Sequence, residues 1–282
     1  MIQIANQQML MRIGSAGIGL PILAVMIFAG APLFSIFVAI LAGIAAWELT
    51  KMAQKLPQYI PWYYYRYLSV MTVGWSVSMV GIAHFFVSGT STTYLSVYSF
   101  LIIIVSCLVC FTLLKRTDLD IFVLGTAFGI SVYTGGLLSF AVLLRGLDSG
   151  LEWVIVTSIT VFATDTAALY FGKIFGRTPL APEISPSKTL EGAVGGIFCS
   201  VLIITVSLDI VGLEVDIAAR LILGVTIGLC AQLGDLFESW MKRTTGVKDS
   251  GSLIPGHGGV LDRLDSIIPN LAIVYSFVTW GT

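Results

Sequence analysis

The apolar run from Ile13 to Leu49 constrains this chain more than any other feature. About 20 consecutive apolar residues cross a bilayer, and a soluble helix of that length keeps a polar face. This run is too long for one crossing, and Gly30-Ala31-Pro32 sits at its middle as a turn signal. It therefore predicts two spans, 13–29 and 33–49, joined by a tight hairpin. Comparable runs recur along a sequence of 282 residues that is 56% hydrophobic and only 11% charged, with a mean hydropathy of +0.94. Further spans are predicted at 66–87, 95–114, 120–144, 152–172, 192–213, 217–240 and 264–280. The fold class expected is an all-α integral membrane protein, a polytopic bundle of about nine transmembrane helices.

Charge tests this division. The N-terminus and the loops after spans two, four, six and eight hold Arg12; Lys51, Lys55 and Arg66; Lys115 and Arg116; Lys173, Arg177 and Lys188; and Lys242, Arg243, Lys248 and Arg263. Those are 13 of the 15 cations, leaving Arg145 and Arg220 for the other face. Basic loops stay cytoplasmic, so the N-terminus and basic loops are expected in the cytosol and the C-terminus outside, in the cytoplasmic membrane. The first apolar run follows a single cation and is too long for the core of a cleavable signal peptide, so none is expected. Lys51 to Tyr65, with its cluster Trp62-Tyr63-Tyr64-Tyr65, reads as an interfacial segment. Residues 1–150 read as a transmembrane scaffold of about five spans, and 151–282 as a catalytic region of about four spans with two charged cytosolic loops.

The first half offers little chemistry. Glu48 and His84 are its main intramembrane polar groups, and the histidine reads as interfacial or partnered. Cys107 and Cys110 form a C-x-x-C inside an apolar helix, where thiols pack as small hydrophobes, and Cys199 and Cys230 read the same way. The charged run Lys115, Arg116, Asp118 and Asp120 reads as a topology-setting membrane boundary.

From the sixth span onward the polar residues change character. Asp165 lies mid-span between Thr164 and Thr166, where a carboxylate needs a partner or water and marks either a functional site or a structural ion pair. In the proline-stiffened loop that follows, Ser185, Ser187, Lys188 and Thr189 lead into the next helix start. Free N–H groups, hydroxyls and a lysine suit a phosphate there, and simple helix capping explains the hydroxyls equally well.

Gln232 to Asp265 holds nine charged side chains, five acids (Asp235, Glu238, Asp249, Asp262, Asp265) and four bases (Lys242, Arg243, Lys248, Arg263), together with His257. Asp235, Glu238 and Lys242 share one helix face, and Asp262 and Asp265 are spaced i, i+3. Converging carboxylates call for cations, and oxygen ligands without a histidine or cysteine set favour Mg2+. The glycines of Pro255-Gly256-His257-Gly258-Gly259 allow backbone to approach a ligand closely.

Ser239, Lys242, Arg243, Lys248, Asp249, Gly251, Ile254, Pro255, His257, Gly258, Gly259, Asp262, Arg263 and Asp265, in that order and spacing, resemble the signature of the phosphatidate cytidylyltransferase family, the CDP-diacylglycerol synthases. S-P-S-K-T-L-E-G, which carries Ser187, Lys188, Thr189 and Glu191, and the Asp165 region are similar to that family too. The resemblance implies transfer of the cytidylyl group of CTP to phosphatidic acid, giving CDP-diacylglycerol and pyrophosphate for phospholipid synthesis. It implies Mg2+, one or two ions, held by Asp235, Asp262 and Asp265. The catalytic set expected is Asp235, Lys242, Arg243, Lys248, Asp249, Asp262 and Asp265. Substrate contacts are expected from Asp165, Ser187, Lys188, Thr189, Glu191, Glu238, Ser239, His257, Gly258, Gly259 and Arg263. Partners implied are CTP, phosphatidic acid, membrane lipids and a second copy of the chain, with no nucleic acid. The small-residue face at Gly192 and Gly196 suits a homodimer contact. Two other readings stay open at this point: a CTP-dependent kinase of a lipid alcohol such as a polyprenol or phytol, and an ion-coupled transporter using Asp165 and Asp235.

Overall fold

The computed structural model describes residues 2–56, 62–88, 104, 121–256 and 258–280. The fourth expected span, the Cys107/Cys110 pair, the charged run from Lys115 to Asp120 and His257 lie outside them. Among the described residues the protein is almost wholly helical, and six helices are long and apolar enough to cross a membrane. It is an all-α membrane protein, with one small β-hairpin that the sequence reading did not anticipate.

The chain divides into two compact units, residues 1–146 with 244–263, and residues 147–243 with 264–282. The first contains α1 (Ile2–Ala29), α2 (Leu33–Ala53), α3 (Trp62–Ser88), and α4 (Ile121–Ser131), which runs through a π-turn at Val132–Gly136 into α5 (Leu137–Arg145). The predicted hairpin falls where Gly30-Ala31-Pro32 placed it. Gly30 adopts φ +66°, a left-handed helix end that suits glycine, and its carbonyl accepts from the Phe34 N–H at 2.8 Å. Ala42, Ala45 and Ala46 on α2 are fully buried, the small side chains that close helix packing in lipid requires.

Hydroxyls join these helices where a soluble protein would place leucines. Thr50 bonds Thr72 at 2.8 Å and Ser76 bonds Thr134 at 2.9 Å. His84 is buried, and its Nδ1 lies 2.8 Å from Ser35 Oγ, so of its two sequence readings the partnered one holds.

The second unit contains α6 (Gly150–Phe175), the antiparallel strands β1 (Pro179–Ala181) and β2 (Ser185–Thr189), α7 (Leu190–Val211), α8 (Ile217–Thr244) and α10 (Ile267–Trp280). The single turn α9 (Leu261–Leu264) precedes α10. On α7 the faces are sorted for lipid. Phe198, Leu202, Val206 and Ile210 recur every four residues and are exposed, whereas Gly192, Gly196, Ser200, Ile204 and Leu208 recur at the same spacing and are buried. Such a helix, large and apolar outside and small or polar inside, is stable only in hydrocarbon.

Gly192 and Gly196 are used within the chain. A Cβ at Gly192 would press on the Ala168 carbonyl, and one at Gly196 on Gln232 and Ala168. The face assigned to a dimer contact from sequence is therefore consumed by packing against α6 and α8. Ser200 donates to the Gly224 carbonyl at 2.7 Å across the α7–α8 contact. The last expected span resolves into α9, a turn and the 14 residues of α10.

Candidate active site

In the second unit, α6, the hairpin, α7 and α8 enclose a cleft of about 400 Å3. Its polar lining comprises Asp165 and Lys173 from α6, Ser185, Ser187, Lys188 and Thr189 from β2, and Gln232 and Asp235 from α8. The hairpin is what carries Lys188 there. Pro179 pairs with Thr189 and Ala181 with Ser185. Glu191, in the first turn of α7, accepts from the N–H groups of Arg177 at 3.0 Å and Thr178 at 3.2 Å. Thr189 caps α7, accepting from the Gly192 N–H at 3.2 Å. The capping reading of Thr189 is thus correct, and Glu191 fastens the loop to the helix. Arg243, an exposed residue, donates from Nε to the Ile184 carbonyl at 3.2 Å and holds the hairpin from the other side.

Lys188 Nζ lies 2.7 Å from Asp235 Oδ2. One turn along α8, Lys242 Nζ lies 2.7 Å from Glu238 Oε2, and the Glu238 side chain is completely buried. Ser239 donates to Asp235 Oδ1 at 3.3 Å. Asp265 joins them because Gly234 has no side chain: a Cβ there would overlap the Asp265 carbonyl and press on Pro269. One oxygen from each of Asp235, Glu238 and Asp265 lies within 4.8 Å of the other two. Opposite corners of an Mg2+ octahedron lie about 4.2 Å apart. Three hard oxygen donors at this spacing therefore fit Mg2+, and they outnumber the two lysines paired with them. Helix spacing had put Glu238 beside Asp235. The structure gives Glu238, rather than Asp262, as the third acid of this group.

Asp262 belongs to the first unit and does different work. Its Oδ2 accepts from the Ser250 N–H at 2.9 Å, the Ser250 hydroxyl at 2.9 Å and the Gly259 N–H at 2.8 Å. Beside it, Glu48 of α2 accepts from the N–H groups of Val260 at 3.1 Å and Leu261 at 2.9 Å, and from the Ser250 hydroxyl at 3.3 Å. The glycines of the loop make room for these two acids. A Cβ at Gly251 would overlap Glu48, one at Gly258 would approach Asp262, and one at Gly259 would overlap both Ser250 and Glu48. Gly256 and Gly258 also take left-handed φ values of 75° and 86°. Lys248, Asp249 and Arg263 are exposed on this loop. The glycines thus let the backbone approach carboxylates of this same chain. Glu48, noted in the sequence only as an intramembrane acid, is the residue that sequence reasoning missed.

The comparisons bear directly on this arrangement. The model of the cytidylyltransferase family matches residues 10–280. The phosphatidate cytidylyltransferase of Staphylococcus saprophyticus is 41% identical over 140 residues, covering 49% of this chain and 54% of the relative. Those of Staphylococcus epidermidis strain RP62A and Staphylococcus aureus strain COL are 45% identical over 130 residues and 46% identical over 132, each covering 45% of this chain and 50% of the relative. The chain thus spans about half the length of these curated relatives. The family match itself runs nearly from end to end, and the expectation raised by the signature holds: this chain belongs to the cytidylyltransferase family.

Proposed function

We propose that this protein transfers the cytidylyl group of CTP to phosphatidic acid, releasing pyrophosphate and forming CDP-diacylglycerol. The observation that carries this reading is the group Asp235, Glu238 and Asp265, charge-matched by Lys188 and Lys242 beside a hydroxyl-lined cleft. The names of the partial relatives and the family match support the choice of substrates.

The lipid phosphate is already ionised at neutral pH, so an oxygen of phosphatidic acid attacks the α-phosphorus of CTP without a general base. A new P–O bond forms as the bond to the β-phosphate breaks, and the electron pair leaves with pyrophosphate. The barrier is repulsion between two anions together with their alignment, so positioning and electrostatics carry the catalysis. Lys188 and Lys242 are the groups able to exchange a carboxylate for a phosphate oxygen. Ser185 and Ser187 offer hydroxyl donors in the same cleft. Mg2+, one ion or two, would be held by Asp235, Glu238 and Asp265, and would supply charge neutralisation for the leaving pyrophosphate. Asp165 lines the cleft and fits a substrate-facing role. The roles of Lys248, Asp249, His257 and Arg263 rest on the family resemblance alone. On the page, Asp262, Gly258 and Gly259 order the loop that carries them.

The same reading sets the protein in the cytoplasmic membrane, with the cleft open to the cytosol, the N-terminus inside and the C-terminus outside. The asymmetry of 13 cations among 15 supports it. It also retains nine crossings. Six are long apolar helices; the others would be α1, the segment 95–114, and α9 with α10. A homodimer is kept on the family resemblance. The experiment is turnover by the purified protein with phosphatidic acid and CTP labelled at either the α- or the γ-phosphate. Label from the α position in the lipid is the expected result. Label from the γ position on an added lipid alcohol would replace this reading with a kinase.

A further inference from the structure

Glu48 lies in α2, yet its three hydrogen-bond partners are 202 to 213 residues away in sequence. It is fully buried, and all three donors are neutral: two backbone N–H groups and one hydroxyl. A buried carboxylate satisfied only by a loop's own backbone acts as a template for that loop, because the loop N–H groups must converge on it or go unpaired. Ser250 extends the template. Its one hydroxyl proton lies between Glu48 Oε2 and Asp262 Oδ2, while its N–H goes to Asp262. The bare backbone at Gly251 and Gly259 is the condition for this approach.

We propose that Glu48 is the positioning residue of the loop from Lys248 to Arg263, fixing through Ser250, Val260 and Leu261 the single arrangement in which that loop presents its charged side chains. The inference rests on the cytidylyltransferase reading for its kinetic consequence, but the loop geometry stands apart from it. Glutamine at position 48 is nearly isosteric but keeps one acceptor oxygen and turns an NH2 toward groups that can only donate.

The test compares the purified full-length protein with its Glu48→Gln and Ser250→Ala variants, by amide hydrogen exchange and by turnover with CTP, phosphatidic acid and Mg2+. Glu48→Gln is expected to speed exchange of the peptide 249–262 by about tenfold while α6 peptides stay unchanged. The turnover number should fall by about tenfold or more with little change in KM for phosphatidic acid. Ser250→Ala is expected to give a smaller effect of the same kind and to add little on top of Glu48→Gln. Unchanged loop exchange in Glu48→Gln would overturn the proposal, as would a loosened loop with wild-type turnover. Should Glu48→Gln loosen the whole protein, Ser250→Ala decides: loop-confined exchange sustains the proposal and unchanged exchange defeats it. If the wild type transfers no cytidylyl group, the functional reading falls, and exchange alone decides whether Glu48 orders the loop.

Discussion

Two groups of acids in this protein have similar membership and opposite company. In the second unit, Asp235 and Glu238 face the ammonium groups of Lys188 and Lys242 at 2.7 Å. In the first, Glu48 and Asp262 face backbone N–H groups and one serine hydroxyl. Lysine is a mobile point charge on a flexible stem, so its carboxylate can be surrendered to a metal while the lysine turns to a phosphate. A backbone N–H cannot leave without moving the chain. The partner rather than the acid therefore tells which carboxylates are available for chemistry and which are committed to shape.

That contrast can be broken most forcefully at Asp265. Asp265→Asn removes charge from the exchangeable cluster and is expected to lower turnover on the order of a thousandfold, with thermal unfolding in detergent unchanged within a few degrees. Near-normal turnover in that variant would dissolve the distinction. Next in size is Gly259→Ala, whose methyl group would overlap Ser250 and Glu48. Displacing the loop by about 1 Å is expected to cost on the order of a hundredfold in turnover without altering the Mg2+ concentration giving half-maximal rate. An altered Mg2+ requirement would place metal binding in the loop after all.

Lys188→Ala sharpens the comparison from the cation side. Steady-state kinetics should give a loss of roughly tenfold to a hundredfold, seen at least in part as a raised KM for CTP. A lysine serving only to balance Asp235 would leave KM alone. The smallest effect expected is at Thr189, which caps α7 through the Gly192 N–H. Thr189→Ala should cost about 1 kcal/mol of stability, read from thermal unfolding, and little catalysis beyond that.

Much of this was readable in the chain because the signals were local. Gly30-Ala31-Pro32 marked a hairpin by turn chemistry alone, and α7 at Leu190–Val211 differs from the expected 192–213 by one cap. Asp235, Glu238 and Lys242 could be set on one face because helical spacing does so. Proline-rich 178–186 read as a stiff loop, since prolines argue against strands, yet Pro179 stands at the start of an isolated two-stranded hairpin, where its missing N–H costs nothing. The pairing of Lys188 with Asp235 joins residues 47 apart by number (235 less 188), and no periodicity points to it. Glu48 was hidden by a still longer separation. An acid at membrane depth is the one signal that could have raised it, and that signal names no partner. Asp262 and Asp265 looked equivalent at i, i+3, and only their donors distinguish them.

The most direct test of the central claim is transfer of α-labelled CTP to phosphatidic acid by the purified protein and its Asp265→Asn variant, each with and without Mg2+. The account predicts label in the lipid for the wild type with Mg2+ alone, and almost none for a folded Asp265→Asn. Label in the lipid without Mg2+, or undiminished in Asp265→Asn, would contradict it.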